Sequence, residues 1–249
     1  PLFLRLHEDK ADGPIALETA IVRYGPKDTT ADHTTHVDLV AAVHIGEKEY
    51  FSTLNQLFRT YDVVLYELVA PPNARVPQAG GRPAGAIGTA QQGLTKLLGL
   101  QFQLDQIDYT AQNFVHADLS PREFNRAMQR RGESWWTMFS KIMQESMARA
   151  NEKPKKQSPE LSFGDLFGIV FGSNRELKMK RVLADQFSNM EVLTTAFGGE
   201  EGSSLITDRN TAALSVLRQQ LQKRSQSIAI FYGAAPVSYT HLTLPTKDS

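Results

Sequence analysis

Three residues of types used in catalysis, His44, Glu67 and Arg209, stand at or beside the ends of predicted elements. His44 ends one short apolar run, and Glu67 lies at the end of a second one. A neutral imidazole and a carboxylate that are held together can ligate a divalent metal or act as a general acid/base pair. A buried histidine that is merely satisfied by a nearby glutamate would give the same pattern, because an acid in an apolar run is costly unless it is paired.

The segment 37–68 contains the elements that must position His44 and Glu67. Its pattern predicts a strand over 37–44, a helix, and a second strand over 61–68 that is rich in β-branched and aromatic residues. The helix is indicated by four apolar residues at helical spacing, Phe51, Leu54, Leu57 and Phe58. The short joints predict a βαβ unit with parallel strands and a right-handed crossover. Both strands then end at the edge of the sheet where α/β proteins bind ligands, which would bring His44 and Glu67 side by side.

The rest of the chain extends this α/β pattern. Strands are predicted over 16–24, antiparallel to 37–44, over 113–119, and over 227–232, which completes the sheet. Further helices are predicted over 89–98, 161–171 and 175–190, and after Thr207. We expect a central, mixed and largely parallel sheet with flanking helices, in a single domain over 1–235.

A helical insertion or cap is predicted at about 120–190. Ser120, Pro121 and Glu123 form a helix-start signature, with a capping serine, a proline at the first helical position and a glutamate at the third. This helix is expected to run to about Asn151, with a break at Gly132.

Composition limits the classes of function. The 249 residues are 41% hydrophobic and 22% charged, which is ordinary for a soluble globular protein. Lys+Arg and Asp+Glu balance at 27 each, which gives no electrostatic case for nucleic-acid binding. The absence of cysteine excludes disulfides, thiolate metal sites and a cysteine nucleophile. No apolar run in the sequence is long enough to cross a bilayer, although membrane association stays open.

The sequence is interpreted as a fragment that lacks its native start and ends in a non-native tail. The chain opens at Pro1 without an initiator methionine, so we interpret it as a fragment in which a signal peptide could have preceded Pro1. Residues 236–249 change character abruptly and resemble a translated sequencing adapter, so they are left out of fold reasoning. The compartment stays open, with the periplasm or cell envelope as the expectation.

Four motifs suggest a family. Ala41-Ala42-Val43-His44 is similar to a Gly-x-x-His strand end with Ala for Gly, and Glu67 ends a following strand. Arg209-Asn210 opens a late helix, and Gly233-Ala234-Ala235 begins a second Gly-x-x-His in which Pro236 replaces the histidine. In this order the motifs resemble the TraB/GumN family, which includes the TIKI metalloproteases and is related to the erythromycin-esterase and ChaN-like proteins.

The resemblance implies a divalent-metal-dependent hydrolase, with peptidase as the expected activity, whose site is incomplete in this fragment. His44 and Glu67 would be metal ligands, with Mn, Co and Zn as candidate ions and a peptide or small molecule as substrate. The metal would polarise a carbonyl and activate a bound water. Arg209 would stabilise an oxyanion or hold a substrate carboxylate, unless it forms a structural ion pair.

Other interpretations stay open. The apolar helix side from Trp135 to Met147 and the loop after Glu67 suit a non-enzymatic protein that binds or sequesters a peptide. A third interpretation is an esterase or metal-independent acid/base hydrolase that uses His44 and Glu67 directly. Tyr109 and His116 are candidate pocket residues or ordinary core and surface residues. His33 and His36 have His-x-x-His spacing, which more often marks a polar loop than a metal site.

Overall fold

The computed structural model describes residues 3–9, 13–26, 35–70, 100–132 and 204–233. The helices predicted over 89–98, 161–171 and 175–190, the apolar side from Trp135 to Met147, and residues 236–249 lie outside these parts. His33 and Pro236 lie outside them as well.

Strands and helices alternate along much of the described chain, which agrees with the predicted α/β class. The strands are β1 (Leu4–Asp9), β2 (Gly13–Thr19), β3 (Ile21–Tyr24), β4 (His36–Ala42), β5 (Ile45–Gly46), β6 (Val63–Tyr66), β7 (Gln101–Phe102), β8 (Phe114–His116) and β9 (Ser227–Gly233). The helices are α1 (Lys48–Phe58), α2 (Gln103–Gln106), α3 (Pro121–Arg130) and α4 (Arg209–Gln222), and a π-helical turn at Ser204–Asp208 precedes α4.

Five of these strands form one sheet in the order β3, β4, β9, β6, β8. β3 is antiparallel to β4, whereas β4 with β9, β9 with β6, and β6 with β8 are parallel pairs. The sheet is therefore mixed and largely parallel, as predicted. The order differs from the simple βαβ expectation, because β9 lies between β4 and β6 and keeps them from being neighbours.

The burial of β9 explains its central place. Its residues from Ile228 to Tyr232 are at most 1% exposed. A strand that is covered on both faces needs an uninterrupted apolar run, and this segment has one. The composition of the run, rather than its late position in the chain, decides where the strand lies.

Helices cover both faces of the sheet. On one face, Ala213 and Leu217 of α4 pack with Leu39, Leu65 and Ile230. On the other face, α1 packs against Val40, Val64 and Phe231 of the sheet. Its buried residues there are Phe51, Leu54 and Phe58. Three of the four apolar residues that predicted α1 are therefore core residues. No helix in the described residues has the length and apolar character needed to cross a bilayer.

The predicted strand over 16–24 is two strands. β2 pairs with β1 in an antiparallel hairpin, and β3 pairs with β4 as predicted. The division falls at Ala20, which donates its N–H to the carbonyl of Phe3 and accepts from the N–H of Ala41. The chain therefore leaves its pairing with β1 and begins its pairing with β4 at this residue.

The helix start at Ser120 is confirmed. Ser120 Oγ accepts from the Glu123 N–H, and the Glu123 carboxylate accepts from the Ser120 N–H at 2.9 Å, which is the reciprocal pattern of a capping box. The helix ends at Arg130, and Gly132 has a φ of 63°, which suits glycine after a helix C-terminus. The predicted continuation to Asn151 lies outside the described residues.

Candidate functional site

The carboxyl ends of β4, β9 and β6 meet at one edge of the sheet. In the parallel register, Ala42 lies opposite Gly233, and Tyr66 lies opposite Phe231. Glu67 directly follows β6, whereas His44 lies two residues beyond β4. His44 and Glu67 thus reach the same edge, as the βαβ argument predicted. Because β9 intervenes, their strands are separated by two strand spacings, or roughly 10 Å.

Glu67, Arg209 and Asp118 form a buried ionic group at this edge, here called the Arg209 cluster. Arg209 Nη2 lies 2.7 Å from Glu67 Oε1 and also contacts Asp118 Oδ2. Arg209 Nε donates to Asp118 Oδ1 at 2.9 Å. The side chains are 12%, 9% and 0% exposed for Arg209, Glu67 and Asp118 respectively, so little water screens their attraction. The fork of the guanidinium, which presents several donors in one plane, suits this double pairing.

Arg209 stays charged although it is buried in the Arg209 cluster. Burial alone would lower the pKa of Arg209, but the hydrogen bond to Asp118 and the charges of Glu67 and Asp118 raise it. Arg209 is therefore held as a cation. Burial also raises the pKa of the adjacent Tyr232 hydroxyl, and the charges of Asp118 and Glu67 raise it further. The Tyr232 hydroxyl donates to the carbonyl of Ala117, which keeps it neutral and bonded.

Glu67 is tied to the end of β9 as well. Its Oε2 accepts from the Gly233 N–H at 2.6 Å, and its own N–H donates to the Phe231 carbonyl at 3.3 Å. Each oxygen of the Glu67 carboxylate therefore has a donor from this chain. The last described residue, Gly233, begins the second predicted motif, and this contact places Gly233 itself beside the acid.

His44 belongs to a second hydrogen-bonded group at the same edge. It is exposed, in the joint between β4 and β5. Its Nδ1 lies 3.0 Å from Oε1 of the buried Gln103, whose Nε2 donates to the Tyr109 hydroxyl at 2.8 Å. Within the described residues, His44 and Glu67 share no hydrogen bond or ion pair.

The donor types at this edge fit a divalent ion, but the described residues do not complete a ligand set. A carboxylate oxygen keeps a second lone pair after one hydrogen bond, so Glu67 retains capacity for a metal, and the imidazole of His44 is a common ligand. No group of three or more His, Asp or Glu side chains suited to a metal occurs in the described parts of the chain. The third predicted position, at Pro236, lies outside those parts. Metal ligation by His44 and Glu67 stays a prediction.

The structure also describes the remaining candidate residues and their contacts. Arg209 forms the ion pair that was its structural interpretation, with two carboxylates rather than one. His116 Nε2 lies 2.6 Å from the Leu68 carbonyl, and Tyr109 is a buried residue of the core. His36 is the first residue of β4, at the opposite edge of the sheet from His44.

Sequence reasoning missed Asp118 and Gln103. Asp118 lies two residues after β8, so the argument that selected Glu67, an acid just past the end of a parallel strand, would have selected it too. Gln103 gave no such signal, because it lies in a short segment without clear periodicity and its role depends on pairing between β5 and β7.

Comparison of the chain with protein-family models, with curated proteins and with solved structures gave no match. The resemblance to the TraB/GumN family therefore stays a prediction that depends on the four motifs.

Proposed function

We propose that this chain belongs to a hydrolase, most consistent with a divalent-metal-dependent peptidase, whose site lies at the carboxyl edge of the sheet. One observation supports this proposal most directly: a buried, charged Arg209 cluster lies at the same edge as the exposed imidazole of His44. Burying ionisable groups is expensive, and such groups concentrate at functional sites.

The residues of this edge have distinct roles in the proposed reaction. His44 takes or gives a proton at its exposed ring, or ligates the metal. Arg209 provides a fixed positive charge for an oxyanion or a substrate carboxylate, and Asp118 holds it in place. A bound Mn, Co or Zn ion would act as a Lewis acid toward the scissile carbonyl.

The metal is tested by restoring the missing histidine. Pro236→His in the 249-residue chain should bind Mn²⁺, Co²⁺ or Zn²⁺ at least ~10-fold more tightly than the unaltered chain in calorimetric titration, equivalent to about 1.4 kcal/mol. Adding His44→Gln should remove this gain, whereas His7→Gln, in the β1–β2 hairpin, should not. If Pro236→His gains no affinity for any of the three ions, the metal part of the proposal is wrong.

A non-enzymatic peptide-binding protein is the second candidate. It is favoured by the internal bonds of Glu67 and Arg209, because both groups already have partners from this chain. Peptide turnover separates the two candidates. The hydrolase should cleave a fluorogenic peptide mixture and lose this activity in His44→Ala and with EDTA. If the chain is a binding protein, His44→Ala should still bind the labelled peptide, and neither the unaltered chain nor the variant should cleave it.

A further inference from the structure

His44 and Gln103 are joined by two hydrogen bonds. The Gln103 N–H donates to the His44 carbonyl at 2.9 Å, and the two side chains meet between Nδ1 and Oε1 at 3.0 Å. The antiparallel pairing of β5 with β7, in which Ile45 lies opposite Phe102, holds the two segments together. The side-chain contact is thus built on a fixed backbone arrangement.

The geometry of this contact alone allows two tautomers of His44. A carboxamide has an acceptor and a donor end, and its orientation is assigned from its hydrogen-bond network. If Gln103 presents Oε1 to His44, then Nδ1 carries the proton and Gln103 Nε2 donates to Tyr109. If the amide is reversed, Nδ1 is the acceptor and the Tyr109 hydroxyl must donate to Gln103.

The contacts of the Gln103 amide distinguish these two arrangements, because Oε1 lies 3.0 Å from His44 Nδ1 and Nε2 lies 2.8 Å from the Tyr109 hydroxyl. Tyr109 is 7% exposed, and burial raises the pKa of its hydroxyl, whereas the hydrogen bond with Gln103 acts in the opposite direction. The Tyr109 oxygen accepts from Gln103 Nε2, so Gln103 uses its donor end there and its acceptor end toward His44.

We propose that Gln103 is a positioning residue, oriented by Tyr109, which holds neutral His44 as the Nδ1–H tautomer and leaves the lone pair on Nε2. In a histidine that binds a metal or acts as a base, the ring nitrogen that does not react commonly donates its N–H to a neighbouring acceptor. Nε2 is then the atom that takes a proton or binds a metal. That use of Nε2 rests on the proposed hydrolase, whereas the tautomer itself does not.

The tautomer is measurable without substrate or metal. Long-range ¹⁵N–¹H correlation spectra of the 249-residue chain, at a pH where its histidines are neutral, separate protonated from unprotonated ring nitrogens. The signal that disappears in His44→Gln identifies the residue. We expect the Nδ1–H pattern in the unaltered chain. A free imidazole in water favours Nε2–H, so the expected result differs from that of an unconstrained ring.

Three variants test the cause. Gln103→Leu and Tyr109→Phe should return His44 toward the Nε2–H form. Gln103→Glu, which can only accept when ionised, should keep Nδ1–H, and it keeps the test decisive if Gln103→Leu does not fold. An Nε2–H pattern in the unaltered chain would overturn the proposal, as would an Nδ1–H pattern that persists in folded Gln103→Leu. If the tautomer is as expected but no peptide is cleaved, the proposed function fails while this inference stands.

Discussion

Asp118 is the charged residue of the site that the sequence interpretation did not select. Its carboxylate is fully buried, and it contacts the same guanidinium nitrogen as Glu67. Arg209 is therefore held from two sides, which fixes its position more firmly than one ion pair would. An arginine held in this way is suited to meeting a developing negative charge without reorganisation.

Replacing Asp118 should show how much this pairing contributes. Asp118→Asn keeps the shape but weakens a charge-assisted contact of the buried guanidinium, which Glu67 still compensates, so the free energy of unfolding in urea should fall by about 2 kcal/mol. Glu18→Gln is the matched control, because it breaks the exposed Arg5–Glu18 pair and should cost less than about 1 kcal/mol. Equal losses in the two variants would show that Arg209 does not depend on Asp118.

At the scale of elements, the sequence predicted most where local signals were complete. Phe51, Leu54 and Phe58 marked one side of α1, and Ser120 with Glu123 marked the start of α3. Local signals cannot report which strands pair, because the choice between neighbours depends on burial of the whole sheet. For this reason His44 and Glu67 were assigned to the correct edge, but the intervening β9 was not foreseen.

The capping box of α3 allows a direct test of a local signal. Ser120→Ala removes the oxygen that accepts from the Glu123 N–H, and we expect it to lower the free energy of unfolding by about 1 kcal/mol. Ser52→Ala, at an exposed position of α1, should change it by no more than about 0.5 kcal/mol. Comparable urea midpoints for the two variants would contradict a stabilising cap.

At the scale of the whole molecule, a second set of polar residues joins the strands at the opposite edge. Burial would raise the pKa of Asp38, but hydrogen bonds from Arg23 and Tyr61 outweigh it and lower the pKa below its ordinary value. Backbone N–H groups of Ser227 and Gln226 lower the pKa of Asp62. Both carboxylates connect segments distant in sequence, so their ionisation bears on the stability of the whole sheet.

These shifts predict loss of stability in acid. A carboxyl group with a lowered pKa in the folded state contributes fully above its unfolded pKa of about 3.9, and this contribution disappears as the pH falls through the lower folded value. The free energy of unfolding should therefore fall steeply below about pH 4. The fall should be shallower in Asp38→Asn and unchanged in Asp105→Asn, an exposed position. Urea titrations from pH 2.5 to 6 measure it, and parallel curves for all three proteins would disprove the assignment to Asp38.

The central place of β9 has a consequence for biosynthesis. β4 and β6 both pair with a strand that begins at Ser227, more than 150 residues after β6 ends. While the nascent chain is still on the ribosome, these two apolar strands therefore lack the partner that lies between them, and their open backbones are exposed to pairing with other chains. The described sheet acquires its core only when synthesis has passed β9, so its folding is expected to be late rather than progressive from the amino terminus.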